Sequence, residues 1–224
     1  MTTIRTRAIV LRRTNYGEAD RILQLLTPEG RQSVMARGVR REKSKLAGGI
    51  ELFAVSDVVV NSGKGDLGIL TSARLIQFYR HILEDYDRLQ FGYEAVRHVA
   101  AATESVDEPE WFDILQEVLA GLDVRTMSRQ LVEAWFYLRL ASLFGRELSL
   151  ANDVDGNRIN AESRYSYDIS EQGLRQAANG ELSADHIKFL RLMNSKSLRI
   201  LGQIGGINEV LPECWTVARQ HAAL

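Results

Sequence analysis

The apolar residues of this chain change their spacing once, near residue 80, and that change restricts the fold more than any motif does. Before it, hydrophobic and polar residues alternate in twos between clusters of turn residues, the pattern of strands with one face on a core. After it they recur at i, i+3 and i+4, the stripe of an amphipathic helix. A period of two cannot lay a continuous apolar face along a helix, nor can a period of 3.6 do so along a strand. The chain is therefore expected to be an α+β protein of two domains, strands in residues 1–80 and helices in residues 81–224.

Five strands are predicted in the first part: 7–12 (RAIVLR), 21–27 (RILQLLT), 31–39, 52–60 (LFAVSDVVV) and 68–78. Asn15-Tyr16-Gly17 and Pro28-Glu29-Gly30 supply the first two turns, and residues 62–66 turn the chain before the last strand. No helix-length crossover lies between the strands, so a small antiparallel barrel is expected. The five-stranded Greek-key OB-fold is its most economical form.

The second part predicts an all-α bundle. Residues 81–104 carry the stripe Ile82, Leu83, Tyr86, Leu89, Tyr93, Val96 and Val99. Ser105–Glu108 reads as the cap of a second helix, with Pro109 near its first turn and a stop near Gly121. Residues 127–144 are apolar around most of the circumference, as a buried central helix would be, and Gly145 ends them. Residues 148–181 are polar and predict loops with short regular pieces. Ser183 opens a further helix, and an Ile/Leu-rich segment continues to about residue 211.

Charge is divided at the same place. The whole chain has a formal net charge of -1, yet residues 1–80 hold 14 Lys and Arg against 7 Asp and Glu. Residues 81–224 hold 14 against 22. Within the basic half, Arg37–Lys45 (RGVRREKSK) has five cations against one glutamate. A polyanion-binding front on an acidic body is the reading this pattern supports. The single cysteine, Cys214, forms no intrachain disulfide, the amino terminus has no signal-like apolar stretch, and no apolar run approaches a membrane span. A cytoplasmic protein with no membrane partner is expected.

Catalytic and cofactor chemistry find little support. Cys214 lies outside any nucleophile-elbow sequence and reads as a structural thiol, and His81, His98, His186 and His221 have no metal-ligand spacing. Gly63–Gly68 matches GxGxxG, but strand-like sequence follows it where a dinucleotide fingerprint needs a helix, so a hairpin turn is expected. The basic run is different, because OB strands carry ligands on their loops and single strands bind through cationic grooves with aromatic platforms. Arg37, Arg40, Arg41, Lys43 and Lys45 are the expected phosphate contacts, Arg12, Arg13 and Arg21 would widen the patch, and Tyr16 is the nearest aromatic. The plain alternative is that these charges keep a loop solvated.

The stretch AIVLRRTNYGEADRILQLLTPEGRQSVMARGVRREKSK resembles the opening of the RecO family of recombination mediators. The matching residues are Tyr16-Gly17-Glu18, Asp20, Ile22, Thr27, Gly30, Ala36, Gly38, Arg40, Arg41 and Ser44, all within about the first 50. The resemblance implies an N-terminal OB domain that binds single- and double-stranded DNA, a helical domain, and no enzyme active site. It further implies a bacterial, nucleoid-associated role in annealing strands and in loading RecA onto DNA coated by single-stranded-DNA-binding protein. RecR and the acidic C-terminal tail of the coating protein are the implied partners, with Arg129, Arg139, Lys188, Arg191 and Arg199 as candidate cations for the tail. Many relatives carry a four-cysteine zinc module. Here the corresponding 148–181 stretch, including Asn152–Gly156 and Tyr165–Gly173, has no cysteine, so a degenerate remnant without zinc or any cofactor is expected. A protein-interaction adaptor with an OB-like barrel is the alternative function.

Overall fold

A computed structural model describes residues 2–62, 65, 67–106 and 108–223. Its first five strands are β1 (Thr2–Tyr16), β2 (Asp20–Thr27), β3 (Gly30–Ala36), β4 (Ala54–Ser62) and β5 (Leu67–Phe78). They close into a barrel in the order β1-β2-β3-β5-β4, with β3 and β5 parallel and every other pair antiparallel. This is the expected OB topology.

Closure depends on β1, which is longer than the predicted 7–12 because it serves two partners. Thr2 to Ile9 pair with β4 and Ile9 to Tyr16 with β2, so Ile9 faces both Val55 and Leu26. Alternation sends Ala8, Val10, Leu23, Leu25, Val34, Ala36, Val58, Val60 and Leu70 into one core cluster. The residues are small or branched, as a narrow barrel interior demands. On the other face, Ile9 and Leu26 are also buried. Here α1 (Tyr86–Ala102) packs on β1 and α2 (Glu110–Asp123) on β2.

The compact units are accordingly Met1–Asp123 and Val124–Leu224. The secondary structure changes at Phe78–Arg80 as the periodicity predicts, but compaction divides the chain later, after α2. Several bonds hold α1 and α2 within the barrel unit. Arg31 pairs with Glu104 at 2.9 Å, and the Arg7 guanidinium lies 5.0 Å over the Phe112 ring. Arg88 donates to the Leu122 carbonyl at 2.7 Å. The predicted helix from residue 81 begins instead as a 3-10 turn, Arg80–Glu84, and α1 starts after Asp85, whose side chain accepts from Arg88 N–H.

The second unit is built on α3 (Arg129–Leu143), buried along most of its length as predicted. A short hairpin follows, β6 (Tyr165–Asp168) and β7 (Gly173–Gln176), within the stretch expected to be mostly loop. Then come α4 (Ala184–Ser195), α5 (Leu198–Leu201) and α6 (Leu211–Ala222). The last helix is absent from the sequence reading, although Pro212 in its first turn signals it. Cys214, read as a structural thiol, is buried in α6, and burial pushes its thiol up to about 12.

His221 joins α6 to the hairpin. Its Nε2 lies 2.7 Å from the Arg146 carbonyl and its Nδ1 2.9 Å from the Tyr167 hydroxyl. The carbonyl can only accept, so the Nε2 carries the proton and the tyrosine donates to Nδ1. Burial lowers the His221 pKa below its ordinary 6.5. The unfolded chain therefore takes up a proton first, and stability present above that value is lost as pH falls through the range below it. Thermal melts of the wild type and His221→Gln at pH 7.5 and 5.5 test this. The acid-induced drop in Tm should be smaller in the variant, and an equal drop would refute the linkage.

Candidate nucleic-acid interface

The basic segment begins one residue after β3 ends, so the third strand stops at Ala36 rather than at the predicted 39. The segment runs through turns to a 3-10 turn at Ala47–Gly49. Its first residues are tied to the β1–β2 turn. Asp20 accepts the Gly38 N–H at 2.6 Å, and the Arg40 N–H donates to the Ala19 carbonyl at 2.9 Å. The Arg40 guanidinium donates to the Gly17 carbonyl at 3.2 Å. Gly17 and Gly38 both have positive φ, 55° and 63°, a conformation costly for other residues. The far end is fixed at Gly49, where a Cβ would lie 2.6 Å from the Ala73 side chain. Val39 within the segment and Ile50 just past the 3-10 turn are both plugged into the barrel core.

This frame sorts the predicted contacts. Arg37, Arg41, Lys43 and Lys45 are exposed, and among the described residues they make no ion pair or side-chain hydrogen bond. Tyr16 is 55% exposed at the end of β1, beside the turn. Arg40 is exposed but engaged with Gly17, and Arg21 is held by Asn15 at 3.1 Å. Arg13 pairs with Glu51 at 3.0 Å and so braces the loop's exit. Arg12 and Arg13 sit on opposite faces of β1, opposite Gln24 and the buried Leu23 respectively. Arg12 does not join the loop. Of the GxGxxG segment, Gly63, Lys64 and Asp66 lie outside the described residues, while Gly68 is in β5.

In the second unit, one open cleft of about 780 Å³ is lined by Glu147, Leu148, Leu150, Arg158, Ile159 and Arg191, and Lys188 lines a smaller neighbour. Of the five cations considered from sequence for an acidic tail, Lys188 and Arg191 are here. Arg129 is bonded to the buried Glu133, and Arg139 lies 5.1 Å over Trp135.

The cysteine-free 148–181 stretch is held by hydrogen bonds. Asp153, 7% exposed, accepts from the N–H groups of Asp155 and Asn157 at 3.1 and 2.8 Å. Arg175 joins Asp155 at 3.0 Å to Asp168 at 2.8 Å, and this bond holds the Asp168 carboxyl below its ordinary value. Val154 occupies the space a Cβ at Gly173 would need. These carboxylates face amides and a guanidinium, and among the described residues no three His, Cys, Asp or Glu side chains converge. The set does not fit a tetrahedral zinc ion.

Family models for the recombination protein O N terminus and C terminus match residues 1–79 and 84–222. The chain belongs to the recombination protein O family. Proteins named DNA repair protein RecO are similar to it. That of Dehalococcoides mccartyi is 35% identical over 219 residues, which is 93% of this chain and 85% of the relative. Those of Roseiflexus and Rubrobacter xylanophilus are 38% and 34% identical over 53% and 65% of this chain. The matches span 42% and 58% of those two relatives' lengths. The family is one of DNA repair proteins.

Within this RecO-family barrel, the motif residues Gly17, Asp20, Gly38 and Arg40 prove to be one hydrogen-bonded knot. Asp20→Ala removes its shortest bond, a charge-assisted one worth roughly 1.5–3 kcal/mol. The loop should then open more often, and trypsin should cleave at Arg37–Lys45 several-fold faster than in the wild type. Unchanged cleavage would show that the knot does not restrain the loop.

Proposed function

We propose that this chain is a recombination mediator that acts in DNA repair by binding rather than by bond-making, and that its Arg37–Lys45 loop grips DNA phosphates. The observation that carries the reading is the loop itself. Its backbone is fixed at both ends, while Arg37, Arg41, Lys43 and Lys45 stand free at the rim of an OB barrel with Tyr16 close in sequence to the same turn. A fixed cationic edge neutralises phosphates of single or double strands without reading sequence, and lowers the repulsion between two strands being annealed. Arg40 and Arg13 contribute by holding the loop.

The double variant Arg41→Glu/Lys43→Glu tests this. For single-stranded DNA the log–log salt slope should shrink by roughly 0.7 for each phosphate the loop no longer neutralises. An unchanged slope sinks the assignment and favours a protein-interaction adaptor.

In the same proposal the partners are RecR, the single-stranded-DNA-binding protein and, indirectly, RecA, and the setting is the bacterial cytoplasm at the nucleoid. The second unit's cleft suits the acidic tail of the coating protein, because Arg158, Arg191 and nearby Lys188 border Leu148, Leu150 and Ile159. The 148–181 stretch works without zinc, Arg175 and Asp153 keeping its loops together. A fluorescent acidic, apolar-ended peptide should bind the full chain, and Arg158→Glu should weaken it about tenfold or more. Equal binding by the variant would exclude this cleft.

A further inference from the structure

Arg12 lines a groove of about 600 Å³ between the β1–β2 face and α1, to which no residue of the Arg37–Lys45 loop contributes. Gln24 from β2 and Gln90, Tyr93 and Arg97 from α1 share its walls. Register explains why Arg12 is here. The β1–β2 pairing shifts between Val10 and Arg12, which leaves Arg12 opposite Gln24.

The tyrosine is held in a fixed attitude. Its ring meets Phe53 at 5.0 Å between centroids and 64° between planes, and it is 48% exposed. Phe53 is one of two non-glycine residues with positive φ among those described, at 56°, a conformation its side chain disfavours. Its neighbour Gly92 leaves the room that the Phe53 ring needs, since a Cβ there would lie 3.1 Å from that ring. A strained phenylalanine and a glycine in close contact thus support one half-exposed aromatic wall.

Glu104 is paired with Arg31 at 2.9 Å, so Arg12 and Arg97 stand against Glu94 alone and the groove keeps a net positive charge. Arg12 and Arg97 make no ion pair or side-chain hydrogen bond among the described residues. Two guanidinium groups, two amides able to donate and accept, and a rigid ring match the phosphates, edges and face of an unpaired nucleotide.

We propose that this groove is a second single-strand site, which stacks an unpaired nucleotide on Tyr93 with its phosphates on Arg12 and Arg97. It rests on the DNA-binding reading above and gives that reading a geometry for annealing, with one strand on the loop and the other in the groove. The test uses the full chain. An oligonucleotide carrying 5-iodouracil is photocrosslinked and the attachment mapped by mass spectrometry, and strands per chain are counted by native mass spectrometry at low salt. A crosslink at Tyr93 and two strands per chain are expected. Tyr93→Ala/Arg97→Glu should bind one strand, with the second weakened about tenfold or more, while Tyr93→Phe should keep two. Two strands in the double variant, or a single strand with no crosslink on α1 in the wild type, overturns the groove and leaves the loop reading standing. Failure of the wild type to bind any single strand overturns the DNA-binding reading itself.

Discussion

The divided pairing of β1 is the constraint on which the rest of the barrel unit depends. One strand bonds to β4 up to Ile9 and to β2 from Ile9 onward, so it turns two edges into a closed wall. Closure fixes the rim, and the rim brings the β1–β2 turn against the start of the β3–β4 segment. The knot of Gly17, Asp20, Gly38 and Arg40 can form only because the two loops leave the barrel side by side. The same pairing shifts at Arg12 and delivers that residue to a different surface.

In the proposed role, a fixed loop lowers the cost of binding. Cations on a floppy segment lose conformational entropy each time they order against a phosphate, whereas those on a braced backbone have already lost much of it. Arg13 with Glu51 and Gly49 against Ala73 brace one end, and Asp20 with Gly38 braces the other. The second unit uses the same device in its 148–181 stretch. There Asp153 accepts backbone amides and Arg175 bridges two carboxylates.

Much of this was legible in the chain. The change of period gave five strands and then helices, the apolar circumference of residues 127–144 announced a buried α3, and the basic run marked the loop. Strand ends were less legible. Tyr16 and its neighbours look like turn residues, but continued pairing with Asp20 keeps them in β1. The α6 helix was missed because Gly205, Gly206 and Pro212 read as punctuation, and because its buried face, including Cys214 and Val217, is short. Nothing local to Tyr93 distinguished it from the rest of the α1 stripe, since its exposure follows from where Phe53 and β2 come to lie.

The sequence by itself determined the fold class, the segregation of charge and the position of the cationic loop. Periodicity and composition are local properties, and local hydrogen bonding and burial respond to them directly. Only the tertiary structure decided which of the loop's cations are available. Arg40 and Arg13 carry the same charge as Arg41 and Arg37, yet they are engaged by Gly17 and Glu51, which lie 23 and 38 residues away in the chain. Long-range pairing chooses partners that no window of sequence contains, and it is those partners that separate a residue bracing the site from one free to meet a ligand.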